Sequence, residues 1–351
     1  MTASLDSILN HLRPLIAADT QNPPRGIDPS HPLLSAIRAS LPDFQIDVRD
    51  LGEGRLIIDA RRGETPILFN VHMDTVPIAK GWSHDPHDLT LADDRAYGLG
   101  TCDTKGAAGV LFALAEACDH PFRILLTTDE EAGKSDCIRT FLQDPVAADV
   151  AVVAEPTDAL ARLQHRGLAS AQALFKGESA HASEAARPSA VHRAAQFISE
   201  ALASPFARDN RLNFGRIEGG VKANMVAAET ELLFGFRARP GTDHTIYFEQ
   251  LRNIAEGGAI QERFIGPALP SDEGGVSADA QARALAWCRA HDLPMGEPVD
   301  FWTEASLFSA AGIPSLVLGA GSITQAHNAD EFVTYDQLTT LYDLYERIVA
   351  A

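Results

Sequence analysis

Short apolar segments alternate with stretches of helical spacing along the first half of the chain. Residues 67–73 (ILFNVHM), 122–128 (FRILLTT) and 150–156 (VAVVAEP) are brief apolar runs, and residues 105–117 (KGAAGVLFALAEA) are apolar nearly all round. The brief runs predict buried strands and the longer one predicts a buried helix. This alternation indicates an α/β layer with a mixed, mostly parallel sheet flanked by helices.

The pattern changes near residue 164. Residues 169–180, 189–204, 211–220 and 229–238, with a further helix-like stretch, predict the order strand, helix, strand, strand, helix, strand, which is typical of a small α+β domain. Residues 267–277 are rich in Pro, Gly and Ser and predict a linker.

The alternation of apolar strands and helices returns after this linker. A helix near 278–290, the apolar strand 313–319 and a helix near 335–350 are predicted there. The simplest organisation is a catalytic domain of residues 1–163 and 278–351, interrupted by an inserted domain of residues 164–277.

The composition of the chain excludes some classes of binding partner and indicates a cellular location. A formal charge of −19, from 29 basic and 48 acidic residues, argues against nucleic acid and anionic membranes as partners. No apolar run approaches the roughly 18 residues of a membrane span, and the N-terminus lacks the unbroken apolar segment of a signal peptide. The four cysteines lack zinc-ribbon or disulfide spacing. We therefore expect a soluble cytoplasmic protein with reduced thiols.

Several familiar catalytic and nucleotide-binding motifs are missing. The chain has no Gly-x-Ser-x-Gly and no His-Glu-x-x-His, and Gly133-Lys134-Ser135 lacks the first glycine of a P-loop. Gly98-Leu99-Gly100 is followed by Asp103 where a dinucleotide-binding fingerprint has glycine. Serine hydrolase, zincin, nucleotidase and dinucleotide-binding functions lose support.

Acids and histidines instead follow the predicted strands. His72 and Asp74 come after an apolar run and, being two apart, face the same side of a strand. A neutral imidazole can bind a metal through one nitrogen while a carboxylate holds the other N–H, so Asp74 is a candidate to orient His72. Taken alone, the pair also fits an ordinary polar strand end.

The remaining candidates have ordinary alternatives too. Asp103 precedes the buried helix and fits a helix cap, while Glu130 and Glu131 fit a solvated loop after their strand. His327 lies in a loop after the last apolar strand. Glu155 ends a strongly apolar strand and is the hardest to explain as surface decoration.

Considered together, these residues predict a dinuclear metal site. Each follows a separate hydrophobic segment, at the strand ends where α/β sheets place their chemistry, and the ligand types fit two zinc or cobalt ions. Two divalent ions would be balanced by Asp103, Glu131, Glu155 and a bridging hydroxide, which leaves the site nearly neutral. The predicted ligands are His72, Asp103, Glu131, Glu155 and His327.

The same residues, in this order, resemble the M20 family of metallopeptidases and deacylases over the whole chain. The segment His72 to Pro77 matches the family's His-x-Asp-x-Val-Pro, and Gly98 to Gly106 resembles its glycine-rich Asp motif, although Leu99 and Thr104 depart from it. Glu130-Glu131 and Glu155-Pro156 match the next two motifs.

The resemblance implies a role for each residue. Asp103 would bridge two metals, His72 and Glu155 would complete one site, and Glu131 and His327 the other. Asp74 would orient His72, and Glu130 would be the general base. The implied cofactors are two divalent ions, with zinc as the expected ion and cobalt as the alternative.

The resemblance also assigns the inserted domain as a lid and dimerisation domain. His181, in Gly177 to His181, matches a histidine that helps to stabilise the oxyanion, often across a dimer. Asn224 and Arg237 match positions that contact substrate, and Arg237 suits a substrate carboxylate. A homodimer through this domain is a further expectation, and the sequence leaves it open.

Within the family, Thr303-Glu304-Ala305 and Gly319 to His327 look most like acetylornithine and N-acetylcitrulline deacetylases. The implied reaction is hydrolysis of a small N-acetyl amino acid to acetate and the free amino acid in arginine biosynthesis, with Glu304 as a candidate substrate contact. The chain resembles the acetylcitrulline branch somewhat more, while its acidity favours the cationic ornithine substrate. The alternatives are a succinyl-diaminopimelate desuccinylase, an aminoacylase, a dipeptidase, or a non-catalytic binding protein on the same fold.

Overall fold

The computed structural model describes residues 3–24, 26–131, 133, 135–184, 187–271 and 277–350. Within them the chain divides into two units. The first contains residues up to 163, 277–298 and 303–350, and the second contains residues 164–271 and 299–302. Lys134 and part of the predicted linker, residues 272–276, lie outside the described residues.

Helices and strands alternate along the first unit, and strands predominate in the second. The helices are α1 (Ala3–Ala17), α2 (Pro32–Ser40), α3 (Lys105–Ala117), α4 (Asp136–Phe141), α5 (Ala190–Ala203), α6 (Pro205–Asp209), α7 (His244–Ile254), α8 (Ser277–Ala290), α9 (Ala305–Ala310) and α10 (Tyr335–Ala350). The strands are β1 (Gln45–Asp50), β2 (Leu56–Arg62), β3 (Ile67–His72), β4 (Thr90–Ala92), β5 (Arg95–Tyr97), β6 (Phe122–Thr127), β7 (Val150–Val153), β8 (Leu168–Lys176), β9 (Ala180–His181), β10 (Asn213–Gly219), β11 (Met225–Val226), β12 (Glu229–Phe236), β13 (Gly258–Gly266), β14 (Ser315–Val317) and β15 (Phe332–Thr334).

The first unit is built on a six-stranded sheet with the order β1-β2-β6-β3-β7-β14. Strands β6, β3, β7 and β14 are parallel, while β1 and β2 join in antiparallel pairs at one edge. The buried strands are apolar along nearly their whole length, as expected where both faces of a sheet are covered. The predicted mixed, mostly parallel α/β class is confirmed.

Helix α3 is buried through most of its length and contacts both α1 and α10. Gly109 permits the close approach of α1, because a Cβ at this position would lie 3.2 Å from the carbonyl oxygen of Ile8 and 3.3 Å from Cβ of Leu12. The Ala- and Gly-rich sequence of α3 thus serves packing more than intrinsic helix stability. No helix among the described residues combines the length and the apolar character needed to cross a bilayer.

The second unit contains a four-stranded antiparallel sheet with the order β10-β12-β8-β13. Strand β8 alternates buried and partly exposed side chains, which is the pattern of a sheet with one covered face. Helices α5 and α7 contact each other and this sheet. Phe175, Phe197 and Phe248 are among the side chains in the core between them. This is the α+β arrangement predicted for the inserted domain.

Residues 299–302 correct one detail of the predicted organisation, which placed them in the catalytic domain. They belong to the second unit. The amide of Val299 donates to the carbonyl oxygen of Gln164 (3.0 Å), and the indole Nε1 of Trp302 donates to the carbonyl oxygen of Pro267 (3.0 Å). Burial of the large Trp302 side chain, which is 7% exposed, accounts for this attachment.

Candidate metal centre

Four parallel strands bring the candidate ligands to one edge of the sheet. His72 is the last residue of β3, Glu131 follows β6, Glu155 follows β7, and His327 lies in the loop after β14. Asp103 comes from the loop between β5 and α3. Because carboxyl ends of parallel strands meet at a common edge, residues far apart in sequence become neighbours here.

The five residues form two clusters that share Asp103. In the buried cluster, Nε2 of His72 lies 3.0 Å from Oδ1 of Asp103 and 3.9 Å from Oε1 of Glu155. In the outer cluster, Nε2 of His327 lies 3.4 Å from Oδ2 of Asp103 and 3.1 Å from Oε1 of Glu131. The ligand atoms of each cluster lie within 4.8 Å of one another. Asp103 therefore directs one carboxylate oxygen to each cluster, as a bridging ligand would.

The two clusters differ in their access to solvent. His72, Asp103 and Glu155 are buried, with 2%, 6% and 6% of their surfaces exposed. The side chain of His327 is 53% exposed. His327 also has a positive φ of 62°, which few residues other than glycine adopt and which recurs at functional sites.

Carboxyl groups in the site repel each other in the absence of cations. Burial raises the pKa of Glu130 and Glu155 well above the usual range, and nearby negative charges raise both further. Burial and the charge of Asp103 also raise the pKa of Glu131. The site therefore holds more negative charge than its own positive groups neutralise.

The histidines respond in the opposite direction. Burial alone would lower the pKa of His72, but hydrogen bonds and charges from Asp103, Asp74 and Glu155 raise it well above the usual value. Hydrogen bonds to Asp103 and Glu131 raise the pKa of His327 to about 11. The pKa of Asp103 is lowered because its bonds to both histidines outweigh its burial.

These donors fit two divalent metal ions. The set offers two imidazole nitrogens and three carboxylates, Asp103, Glu131 and Glu155, from two clusters with one common member. Nitrogen and oxygen ligands of this kind suit zinc, cobalt and similar ions. Two divalent cations would also neutralise the excess carboxylate charge that raises the pKa of Glu130 and Glu155.

Asp74 contacts both the ligand strand and the acidic pair. Its backbone carbonyl oxygen lies 3.0 Å from Nδ1 of His72, whereas its carboxylate oxygen Oδ1 lies 3.6 Å from that nitrogen. The carboxylate accepts the backbone amides of Glu130 (3.3 Å) and Glu131 (3.0 Å), and Nδ2 of Asn22 (3.3 Å). The carbonyl contact keeps the proton on Nδ1 and leaves Nε2 directed at the buried cluster.

Glu304, a predicted substrate contact, precedes α9 and is 1% exposed. Its Oε2 accepts a hydrogen bond from Oγ1 of Thr127 (3.3 Å) at the end of β6. Burial and the charge of Asp129 raise its pKa to about 8. Glu304 is thus a buried residue in contact with the end of β6, and substrate binding by Glu304 stays a prediction.

The other predicted site residues lie in the second unit. His181 is exposed at the end of β9, with Nδ1 2.8 Å from Oγ of Ser183. Asn224 is exposed just before β11, the strand that pairs with β9, and its carbonyl oxygen accepts the amide of Ala182 (3.0 Å). Arg237 is half-buried after β12. His181 and Asn224 are therefore neighbours on one surface of this unit.

Two buried residues around the site were not singled out from the sequence. Asn22 bonds to Asp74 and to the carbonyl oxygen of Thr128 (2.9 Å). Glu331 bonds to the backbone of the Asp103 loop. The one available signal was an acid placed between His327 and the apolar residues of β15.

Known proteins resemble this chain over most of its length. The model of peptidase family M20/M25/M40 matches residues 68–351. The chain is 44% identical to an N-acetyl-L-citrulline deacetylase of Xanthomonas campestris pv. campestris, with 99% of each chain covered. It is 30% identical to an acetylornithine deacetylase of Vibrio vulnificus, with 87% of this chain and 86% of the relative covered.

Solved structures show the same fold at low identity. Aminopeptidase PepT from Bacillus cereus ATCC 10987 matches with a TM-score of 0.77 and 17% identity, and the match covers 98% of both chains. The family match spans most of the sequence and includes every candidate ligand. The chain belongs to peptidase family M20/M25/M40.

Proposed function

We propose that this chain is a metal-dependent deacetylase that hydrolyses an N-acetyl amino acid, N-acetyl-L-citrulline or N2-acetyl-L-ornithine, in arginine biosynthesis. The observation that carries the proposal is the pair of clusters sharing Asp103, in a chain 44% identical to an N-acetyl-L-citrulline deacetylase over 99% of its length. The relative at 30% identity, an acetylornithine deacetylase, keeps the second substrate in the proposal.

The proposed ligands are His72, Asp103 and Glu155 for one ion and Asp103, Glu131 and His327 for the other. Bound divalent ions would polarise the substrate carbonyl and lower the pKa of the attacking water towards ~7. Zinc is the expected ion and cobalt the alternative, because two imidazoles and three carboxylates accommodate both.

Glu130 is the proposed general base. It precedes the ligand Glu131, its pKa is raised by burial and by neighbouring carboxylates, and its backbone is held by Asp74. A base with a raised pKa can take a proton from the attacking water and later release it. Glu130 would then give that proton to the leaving amino nitrogen, so one carboxylate serves both halves of the reaction.

The inserted domain, residues 164–277 by its predicted boundaries, is proposed to act as the lid. His181 would stabilise the oxyanion that forms when water attacks the acetyl carbonyl. Asn224 and Arg237 would bind the substrate. The guanidinium of Arg237 suits the α-carboxylate because its planar fork can bind both oxygens. Glu304 is retained as a candidate contact for the distal group.

The substrate class is tested by a panel of compounds with the purified, metal-loaded chain. The panel contains N-acetyl-L-citrulline, N2-acetyl-L-ornithine, N-succinyl-diaminopimelate, an N-acyl apolar amino acid and a dipeptide. We expect kcat/KM to be highest for an acetylated member of the first pair. A higher value for the succinylated compound or the dipeptide would replace the proposal with another family activity.

A homodimer through the second unit is part of the proposal. Strand β10 is an edge strand that pairs with β12 alone among the described strands, and Ile217 on it is 55% exposed. Unpaired edges with apolar side chains favour association with a second copy. Light scattering should give twice the chain mass, and Ile217→Lys should shift the chain towards monomer. Ile246→Lys is the control, since Ile246 is equally exposed (54%) but lies on α7.

A cytoplasmic location also belongs to the proposal. The cysteines Cys102, Cys118, Cys137 and Cys288 are free thiols. Unpaired thiols are typical of proteins in a reducing compartment. Fractionation of the source cells with detection of the protein tests this location.

A further inference from the structure

Glu331 binds the backbone of the loop that carries the shared ligand. Its Oε1 accepts the amides of Cys102 (2.8 Å) and Asp103 (3.0 Å), and its Oε2 accepts the amide of Gly100 (2.9 Å). The Glu331 side chain is 2% exposed. A buried carboxylate that accepts three backbone N–H groups is strongly held, because these charge-assisted bonds replace its lost hydration.

The strands next to these loops hold them side by side. Strand β15 begins directly after Glu331 and pairs with β5, with Phe332 opposite Tyr97. The amide of Gly98 donates to the carbonyl oxygen of Glu331 (3.0 Å). The loop of Asp103 and the loop of His327 therefore meet at a short antiparallel ladder. The carboxylate of Glu331 adds a direct hydrogen bond to the backbone of Asp103.

Backbone carbonyl groups accept some of the loop amides, and the carboxylate of Glu331 accepts three more. The amide of Leu99 donates to the carbonyl oxygen of Pro86 (2.9 Å), and that of Thr101 to the carbonyl oxygen of Gly98 (3.1 Å). The amides of Gly100, Cys102 and Asp103 are bound by Glu331. Without this carboxylate, three buried donors of one loop would lose their acceptor.

We propose that Glu331 is a positioning residue for both metal ions, an inference that rests on the proposed dinuclear site. Asp103 supplies one oxygen to each cluster, so its backbone position sets both. Glu331 fixes that position and lies four residues after His327, a ligand of the outer cluster. A residue that holds a ligand without touching the metal acts through ligand orientation.

The informative variant is Glu331→Gln, which preserves size and removes one acceptor. Glutamine has a single acceptor oxygen, so its NH2 group would face either the amide of Gly100 or those of Cys102 and Asp103. We expect both ions to bind more weakly, by about 10- to 100-fold, as is usual when a ligand loses its supporting contact. Glu331→Asp keeps two acceptor oxygens and should lose less affinity.

Asp59→Asn is the matched control. Asp59 lies on strand β2 of the same unit and is buried (9% exposed). Its carboxylate accepts two hydrogen bonds from Arg123, at 3.2 and 2.9 Å. Removing its charge should lower the melting temperature of the metal-free chain without changing metal affinity. A purely structural role for Glu331 predicts this same result for Glu331→Gln.

The test is titration of the metal-free chains with zinc against a chromophoric chelator, which needs no substrate. The inference predicts two ions bound by wild type and by Asp59→Asn with equal affinity, and weaker binding of both by Glu331→Gln. Wild-type affinity in Glu331→Gln would overturn the inference and leave the proposed function intact. A wild-type chain that binds no zinc would overturn the proposed site together with this role.

Discussion

The carbonyl oxygen of Asp74 lies 3.0 Å from Nδ1 of His72, while the carboxylate of Asp74 accepts the amides of Glu130 and Glu131. The backbone of one residue thus selects the imidazole tautomer that presents Nε2 to a metal. Its side chain fixes the proposed base and the adjacent ligand. Strand β3 and the turn after β6 are joined at this residue.

Asp74→Asn separates these two functions. The variant retains the carbonyl contact to His72 but has one acceptor oxygen for the amides of Glu130 and Glu131. We expect kcat to fall by roughly 10- to 100-fold through misplacement of the base, with the buried cluster still loaded. Steady-state kinetics and elemental analysis check both parts. Loss of metal from the buried cluster would mean that the carboxylate itself orients His72.

Glu130→Gln tests the proposed base. The variant keeps the size of the side chain and loses its basicity, so kcat should fall by about 10²- to 10⁴-fold. Metal content and melting temperature should match wild type. Glu116→Gln, at an exposed acid of α3 (62% exposed side chain), is the control and should be fully active. Activity of Glu130→Gln within a few fold of wild type would reject the assignment.

Removal of individual ligands should distinguish the two clusters. His327→Ala removes a proposed ligand of the exposed outer cluster only, so we expect about one ion per chain to remain after dialysis. Glu155→Ala removes a proposed ligand of the buried cluster, and metal bound by that cluster should drop instead. Elemental analysis after dialysis measures the number of metal ions bound per chain in each variant. Unchanged metal content in either variant would remove that residue from the ligand set.

Metal binding should release protons. The pKa of His327 is raised to about 11, so its imidazole is protonated at neutral pH in the metal-free chain, whereas a metal-bound imidazole is neutral. Uptake of metal must displace this proton, and metal affinity should therefore rise with pH below about 11. The stability of the metal-free chain has the opposite pH dependence, because it falls as pH rises. Protonated His327 stabilises the folded chain fully below the unfolded pKa of about 6.5, and this stabilisation is lost as pH rises through about 11.

Calorimetry in buffers of different ionisation enthalpy measures this release. Net proton release at pH 7 is expected for wild type, and His327→Ala should release fewer protons. An affinity that is independent of pH between 6 and 8, with no proton release, would contradict the electrostatic account of His327.

Elements with strong apolar patterns were predictable from the sequence. The helix expected at 105–117 is α3, Lys105–Ala117, and the helix expected near 335–350 is α10, Tyr335–Ala350. The run at 67–73 contains β3, Ile67–His72. Helix α3 and strand β3 bury most of their side chains, and α10 buries one apolar face, so the sequence pattern and the observed packing agree.

Pairing between short or polar strands was not predictable. The edge strand β1 and its antiparallel neighbour β2 carry charged residues, and β5 and β15 have three residues each. Their partners are chosen by tertiary contacts, which local sequence does not encode. The attachment of residues 299–302 to the second unit depends likewise on the contact of Trp302 with Pro267.

The same distinction applies to the site. Four candidate ligands could be recognised because each comes at or after the end of an apolar strand, whereas Asp103 precedes the apolar helix α3. The structure brings His72, Asp103, Glu131, Glu155 and His327 together. Glu331 and Asn22 bind backbone groups distant in sequence, and such bonds leave no residue-type pattern. These two supporting residues are therefore visible only after the fold is known, whereas Asp74 could be recognised by its place two residues after His72.

The most direct test is the turnover of N-acetyl-L-citrulline as a function of metal ions bound per chain. A dinuclear hydrolase should show no turnover in the metal-free chain and full turnover at two ions, with the same dependence for N2-acetyl-L-ornithine if it is a substrate. Turnover that survives complete removal of metal would rule out metal-dependent hydrolysis. No turnover of either compound with two ions bound would rule out the proposed substrates.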